Sequence, residues 1–305
     1  MLQCTPLAER APDVQYRTLL RRILEEGHRV FPQQEESALM IVGHQMRFPL
    51  ANGFPIITER DLVSPGKTSP SQFTMAIAEL VAFLNGARTL GELAAFGCTW
   101  WERWATAKKC AKRGLAPGDL GPGSYGPAFR SFPTAEGTPF DQIQHLVEQI
   151  RELPHLRTHF VSPWVPQYIG RGKGKQQKVV VAPCHGWIHV LVDPEKRTLA
   201  AHHIQRSADA PVGLVFNLIQ YAAFTLMLAH ATGYAPDELV YTISDAHIYE
   251  RQIPDVRELL ATGPQPFPTV TLVDPPDSLF AFRPQHFTVA DYHPSLPRRR
   301  IWTPV

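Results

Sequence analysis

Cys184 sits in the run Ala182-Pro183-Cys184-His185, inside what reads as an apolar strand from Gln177 to Val192. A free cysteine in such surroundings is ordinarily a small buried hydrophobe. It becomes a nucleophile where a nearby cation favours the thiolate. Arg206 lies on the neighbouring strand candidate, Thr198 to Arg206, so pairing of the two strands would bring Cys184 and Arg206 together. Both readings stand on the local sequence alone. Cys184, His185, His189, His202 and His203 are crowded closely enough to suggest a metal. Strand alternation argues against it, because neighbours in sequence point to opposite faces and no second cysteine supplies the short spacing of a zinc knuckle. No metal is expected. The basic loop Arg171 to Lys178 and the run Arg298-Arg299-Arg300 lack interleaved aromatics, so they read as solvated surface and nucleic acid is not an expected partner on this pattern. His247 and Tyr249, in SDAHIYERQ, are uninformative alone.

These groups need elements to hold them. Leu19, Leu20, Ile23 and Leu24 give helical spacing over 16–27, with Gly27 as the stop. Ser37 to Phe48 mixes apolar and polar positions as a strand would, and Ala51-Asn52-Gly53 signals a turn. VSPGKTSPS at 63–71 reads as a mobile surface insertion. A helix from Gln72 to Asn85 buries Met75, Ile77, Leu80, Val81 and Leu84, and leaves Glu79 among apolar neighbours, where a carboxylate needs a reason. GLAPGDLGPGSYG, from Gly114 to Gly126, has too much Gly and Pro for regular structure. The stretch 170–178 reads as an exposed hairpin or loop. DPEK joins the two central strands, and a short strand is expected over 239–242, followed by a polar cluster and a Pro-rich tail. From Ala210 to Pro236 there is no Asp, Glu, Lys or Arg, a run long enough to cross a bilayer. Asn217, Gln220, Thr225 and His230 inside it favour a buried core helix instead.

The whole chain is consistent with that picture. Its 305 residues, 44% hydrophobic and 19% charged, are too apolar for a disordered chain. Thirty basic against 28 acidic residues leave no global pull toward nucleic acid or an anionic membrane, so any anion site must be local. Four scattered cysteines and an N-terminus without a continuous apolar segment suggest a reduced, cytoplasmic protein. Strands and helices without regular alternation suggest an α+β fold.

Taken in order, APCH at 182–185, QRSAD at 205–209, GLVFN at 213–217 and DAHIY at 245–249 resemble the thymidylate synthase family in sequence and spacing. GHQMRF at 43–48, NGFPIIT at 52–58, AELVAFLNG at 78–86 and CTWWERWA at 98–105 are similar to the same family's signatures. The resemblance, which runs from about residue 16 to residue 295, implies one catalytic domain over 1–305, with an insertion near 61–71 and a Pro-rich tail at 284–305. It implies a mixed sheet packed with helices, a sheet-to-sheet homodimer, and 5,10-methylenetetrahydrofolate as the one-carbon donor to carbon 5 of a uracil nucleotide. By the same resemblance Cys184 is the nucleophile that adds to carbon 6, and Arg206 binds the nucleotide phosphate and favours the thiolate. Ser207 and Gln205 support the substrate, Asn217 pairs with the uracil edge, and His247 and Tyr249 hold the sugar. Glu79, Tyr125, His185 and Asp245 belong to the proton-moving group. Asp209, Trp100, Trp101, Trp104, Gly213 and Phe216 form the folate side, and Arg157 reaches the partner subunit's site.

Departures from the family pattern bear on the product. Gln33 stands where a phosphate-loop arginine is usual, and Thr158 follows Arg157 where a second arginine is usual. Ala208 replaces a cysteine, Ile243-Ser244 replace a glycine pair, Glu59 replaces a folate-tail lysine, Trp100 fills an aliphatic position, and the closing residues IWTPV differ. The expected reaction is therefore hydroxymethylation of dUMP. The alternatives are an orthodox thymidylate synthase making dTMP and dihydrofolate, and an inactive nucleotide- or RNA-binding homologue.

Overall fold

The computed structural model describes residues 4–32 and 36–304; Gln33 lies outside them. In chain order the helices are α1 (Gln15–Glu26), α2 (Gln72–Leu84), α3 (Leu90–Ala95), α4 (Ala107–Ala111), α5 (Tyr125–Arg130), α6 (Gln142–Glu152), α7 (Pro166–Ile169), α8 (Gly213–Thr232) and α9 (Ile253–Ala261). The strands are β1 (His28–Val30), β2 (Ala38–Pro49), β3 (Phe160–Val161), β4 (Trp187–Asp193), β5 (Thr198–Asp209), β6 (Ala235–Tyr249), β7 (Thr269–Leu272) and β8 (Phe287–Ala290).

The first six strands form one mixed sheet in the order β1-β2-β6-β5-β4-β3. Its β5–β6 pair is parallel and the others are antiparallel. A parallel pair needs a long crossover, and α8 is that crossover: it leaves the end of β5 and returns the chain to the start of β6. Alternation along β5 turns Leu199, Ala201, His203 and Gln205 toward the helices, while Thr198, His202 and Arg206 face the other way. One face of the sheet is thus covered by α8 with α2 behind it. The other leaves Val42 71% and Leu191 45% exposed.

Local chemistry explains most boundaries. Tyr16, Leu19, Leu20 and Ile23 form the buried stripe of α1. The helix stops at Gly27, where a Cβ would lie 2.3 Å from the Ile23 carbonyl oxygen. The Ser71 side chain accepts the Thr74 N–H and caps α2. α8 ends at Gly233, in the left-handed region at φ 77°, which favours glycine. It is the one helix among the described residues long and apolar enough to cross a membrane, yet 89% of that apolar window is buried inside the fold. Each fully buried Leu or Phe of α8 contributes about 1.5 to 3 kcal/mol. The core-helix reading therefore holds.

Two strand expectations are corrected. Residues 177–186 are not part of a strand: β4 begins only at Trp187. Pro183 cannot donate to a ladder, and Gly186 takes φ +101° with its N–H on the His203 ring. The strand expected over 239–242 runs instead from Ala235 to Tyr249. Paired by β5 on one side and β2 on the other, its backbone is satisfied through the polar run that the side chains alone mark as a break. The loop expected over 114–126 gives way at its end to α5. Residues 63–70 lie at the surface, where Arg298 donates to the Ser64 and Pro70 carbonyls and to the Ser69 hydroxyl. Arg299 bonds Asp255 at 2.7 Å and pairs with Glu258, so two cations of the basic run near the C-terminus are spent within the chain.

Candidate active site

The irregular stretch before β4 lies against β5, whose Arg206 and Ser207 N–H groups both donate to the Cys184 carbonyl, at 2.7 and 3.4 Å. That backbone pairing sets Arg206 Nη2 3.3 Å from Cys184 Sγ. Arg206 Nε is anchored on the Pro183 carbonyl, and its guanidinium lies over the Trp164 ring. Burial pushes the half-buried Cys184 thiol up, Arg206 opposes that shift, and Asp245 adds to it. Asp245 itself would be raised by burial, but His247, Ser207 and Arg206 hold it below the usual carboxylate range. His247 Nδ1 lies 2.9 Å from one Asp245 oxygen and the Ser207 hydroxyl donates to the other at 2.7 Å. The Tyr249 ring packs edge-on against His247.

Beneath the cysteine is a buried wall. The Cys184 N–H donates to the Tyr125 hydroxyl at 2.8 Å. The Tyr125 ring stacks on His185 at 4.3 Å and on Phe83 at 4.8 Å. Burial holds the phenol proton on, well above the usual tyrosine range. His185 Nδ1 meets the Tyr221 hydroxyl at 2.6 Å, and burial pushes its pKa down to about 3, so the ring is neutral. His203 stacks against Tyr221 at 3.6 Å and accepts the Gly186 N–H on Nε2, which fixes its tautomer. His202 bonds Thr242 and His189 meets the Arg157 carbonyl. The crowded histidines thus take different hydrogen-bond partners, with His185 and His203 both packed on Tyr221. Among the described residues no three His, Cys, Asp or Glu side chains gather as a metal set.

α8 and α2 bring the amide and the carboxylate. Asn217, 6% exposed, accepts from Gln205 Nε2 at 3.0 Å and donates to Gln220 Oε1 at 2.8 Å. Gln220 Nε2 donates to Glu79 Oε2, and Trp101 Nε1 donates to Glu79 Oε1, both at 2.5 Å. Burial raises Glu79 to about 7, with the Gln220 and Trp101 hydrogen bonds pulling the other way. Those two bonds are the reason a carboxylate can lie on an apolar helix. The end of β5 and the end of the chain meet at Asp209. Gln252 Nε2 lies 3.0 Å from both of its oxygens and the Thr303 hydroxyl donates to one at 2.7 Å. Burial raises this carboxyl while those donors lower it. Trp100 and Phe216 pack at 4.7 Å, Trp101 and Trp104 at 6.1 Å, and Trp101 touches Tyr125 edge-on. Gly213 opens α8 beside Asp209, a Cβ there falling 4.0 Å from the Asp209 Cβ.

Most residues singled out from the sequence therefore surround one place. Arg157 does not: it is exposed at the turn before β3, with exposed Thr158 beside it. Glu59 is a correction. It is 3% exposed and paired with Arg17 at 3.6 Å, so it is a buried carboxylate of the scaffold and offers nothing to an anionic folate tail. Gln220, Tyr221, Tyr241 and His203 also line the site, and the sequence does not mark them as such. Gln220 and His203 leave usable signals, the first a polar side chain one turn after Asn217 on an apolar helix, the second a member of the histidine cluster around Cys184.

A cysteine set against an arginine is the arrangement that favours a thiolate nucleophile, and the fold adds to it a buried carboxylate, Glu79, and an amide fixed by two hydrogen bonds, Asn217. The thymidylate synthase family model matches residues 14–300, and the chain belongs to that family. The family transfers one-carbon units to uracil nucleotides and uses methylenetetrahydrofolate as the donor. The aromatic plates of Trp100, Trp101, Trp104 and Phe216 fit a flat ring, while Asp209, the carboxylate nearest to serve its N–H donors, already accepts from Gln252 and Thr303.

Proposed function

We propose that this protein hydroxymethylates dUMP at carbon 5 through covalent addition of Cys184 to carbon 6. The observation that carries the reading is the Arg206–Cys184 contact at 3.3 Å: one cation can bind a phosphate and favour the thiolate, while Asn217, its amide fixed by Gln205 and Gln220, reads the base edge. Ser207 assists at the phosphate, and His247 and Tyr249 hold the sugar. Glu79, Tyr125, His185 and Asp245 hold or move protons around the ring. When bound, methylenetetrahydrofolate supplies the one-carbon unit and, where a methyl group forms, a hydride as well. In the hydroxymethyl reaction, removal of the carbon 5 proton with departure of unoxidised tetrahydrofolate would leave an exocyclic methylene on carbon 5, water would add to that methylene, and loss of the Cys184 thiolate from carbon 6 would restore the ring double bond.

The hydroxymethyl product is favoured by the folate side. Both Asp209 oxygens are engaged by Gln252 and one also by Thr303 of the C-terminal tail, and the Trp100 ring packs against Phe216. A donor held less firmly there leaves sooner, and water then reaches the methylene. The Trp101–Trp104 pair favours the second reading, an orthodox dTMP-forming synthase, because those rings exclude water. The uncovered sheet face, with Val42, Leu191 and Phe160 exposed, supports a sheet-to-sheet homodimer in which Arg157 lies near the partner subunit's site.

Incubation with dUMP, UMP or dCMP and methylenetetrahydrofolate, read by product mass, tests the proposal. The expected product is 5-hydroxymethyl-dUMP without the absorbance rise of dihydrofolate. A methylated product with stoichiometric dihydrofolate restores the synthase reading, and the absence of both products overturns the transferase.

A further inference from the structure

A cleft of about 550 Å³ opens between the end of α4 and the loop over 170–178, and none of the residues gathered around Cys184 lines it. Lys112 and Arg113 line it from one side, Arg171 and Lys175 from the other, and Gln177, 8% exposed, forms the floor. Hydrogen bonds fix this lining. Gln176 Nε2 donates to the Lys112 carbonyl at 3.5 Å and so ties one side to the other, Arg171 Nε donates to Gln177 Oε1 at 2.8 Å, and Arg113 Nη1 donates to the Lys109 carbonyl at 2.7 Å. No carboxylate is among the lining residues. Lys112, Arg113 and Lys175 form no salt bridge among the described residues. Burial and the Arg171 charge both lower the Arg113 pKa, and only the Cys110 thiol opposes them. Arg113 Nε and Gln177 Nε2 are also buried without a hydrogen-bond partner among the described residues. A buried donor without an acceptor is unfavourable, and cations held side by side repel. A bound anion answers both.

We propose that this cleft is a second anion site, built for a chain of phosphates such as an inorganic polyphosphate or the triphosphate of a nucleotide. Shape and charge together select that class. Cations reach the cleft from both sides, so the ligand must present acceptors in several directions at once. A tetrahedral phosphate does so, whereas a planar carboxylate matches a single guanidinium fork. One phosphate leaves most of the charge of Lys112, Arg113, Arg171 and Lys175 unmet and fills little of the cleft. A chain of phosphates meets each cation in turn. The site shares no residue with the Arg206 and Ser207 pair, and the inference does not rest on the proposed function.

The experiment titrates inorganic tripolyphosphate into the full chain by calorimetry at low salt, where surface charge is least screened. The proteins are the wild type, Arg113→Met, the double variant Lys112→Met with Lys175→Met, and Arg206→Met, which reports any ion that goes to the nucleotide site instead. The expected result is one site in the wild type, with affinity unchanged in Arg206→Met. In Arg113→Met it should fall about tenfold, the worth of one charge-assisted hydrogen bond, and it should fall in the lysine variant as well. ATP in place of tripolyphosphate separates the sources: equal affinity assigns the site to the phosphate chain alone, and tighter binding assigns it to a nucleotide. Citrate bound as tightly as tripolyphosphate overturns the inference. So does binding that the cleft variants leave unchanged, binding lost in Arg206→Met, or no binding at all. A short single-stranded oligonucleotide that binds while tripolyphosphate does not would assign the cleft to nucleic acid and overturn it equally. If Arg113→Met does not fold, the lysine variant, altered only at exposed side chains, decides alone.

Discussion

Glu79 and Glu59 are both carboxylates taken out of water, and the protein holds them in opposite ways. Glu59 faces Arg17, whose guanidinium also donates to the Leu259, Leu260 and Thr262 carbonyls and so ties α1 to the end of α9. Glu79 has no ion pair among the described residues. Its oxygens receive one indole N–H and one amide N–H, neutral donors that lower the cost of the charge without removing it. Burial raises both groups, but at Glu59 the charge of Arg17 opposes the shift, whereas at Glu79 only hydrogen bonds do. A buried carboxylate paired with a cation is scaffold. One left among neutral donors keeps a pKa near the pH at which proton transfer is useful.

The strongest way to break this contrast is Glu79→Gln. It keeps the shape and removes the titration, so turnover should fall roughly 10²- to 10⁴-fold, the usual worth of a positioned acid or base. The melting temperature should not drop. A variant with near-normal kcat would return Glu79 to the scaffold alongside Glu59. Arg17→Met should behave in the reverse manner. It strands the Glu59 charge and three carbonyl groups, which should cost about 3 to 5 kcal/mol in urea unfolding, while kcat per folded molecule stays within about twofold by the usual independence of distant sites. Loss of kcat without loss of stability would show that the pair reaches the chemistry after all.

The smallest effect is a slope. Glu79 rises from 4.5 to about 7 on folding, so between those values the folded state binds more protons than the unfolded one. Its contribution to stability is therefore present at low pH and lost as pH rises through that window. His185, lowered to about 3, acts with the opposite sign, since the unfolded chain takes its proton first. The informative quantity is the difference between wild type and Glu79→Gln: their urea midpoints should converge toward pH 4.5 and separate toward pH 7, with the variant the more stable. Parallel curves would mean that Glu79 does not titrate in that range.

Much of this site is legible in the sequence. Cys184, Arg206, Asn217 and Glu79 carry signals in type and spacing, and the resemblance to the family gathers them. Local inference fails at the edges of elements. The stretch before β4 is as apolar as a strand, yet Pro183 and Gly186 keep it out of the ladder. The polar end of β6 looks like a break, yet two neighbouring strands satisfy its backbone. Glu59 reads as a change at the folate tail, but whether a glutamate lies on a surface or in a pair is decided by an arginine 42 positions earlier in the chain.

Composition and periodicity by themselves determined the buried identity of α8, the stripe of α1 and the mixture of sheet and helix, because burial follows from side-chain hydrophobicity at a fixed repeat. They also supplied the chemical inventory of the site. Only the tertiary structure decided which polar groups meet. The Tyr241–Gln205–Asn217 and Gln220–Glu79 hydrogen bonds, the capture of Asp209 by Thr303 and the pairing of Glu59 with Arg17 each depend on close approach between residues at least 12 positions apart in sequence. Hydrogen bonds are short and directional, and no pattern along the chain encodes such an approach.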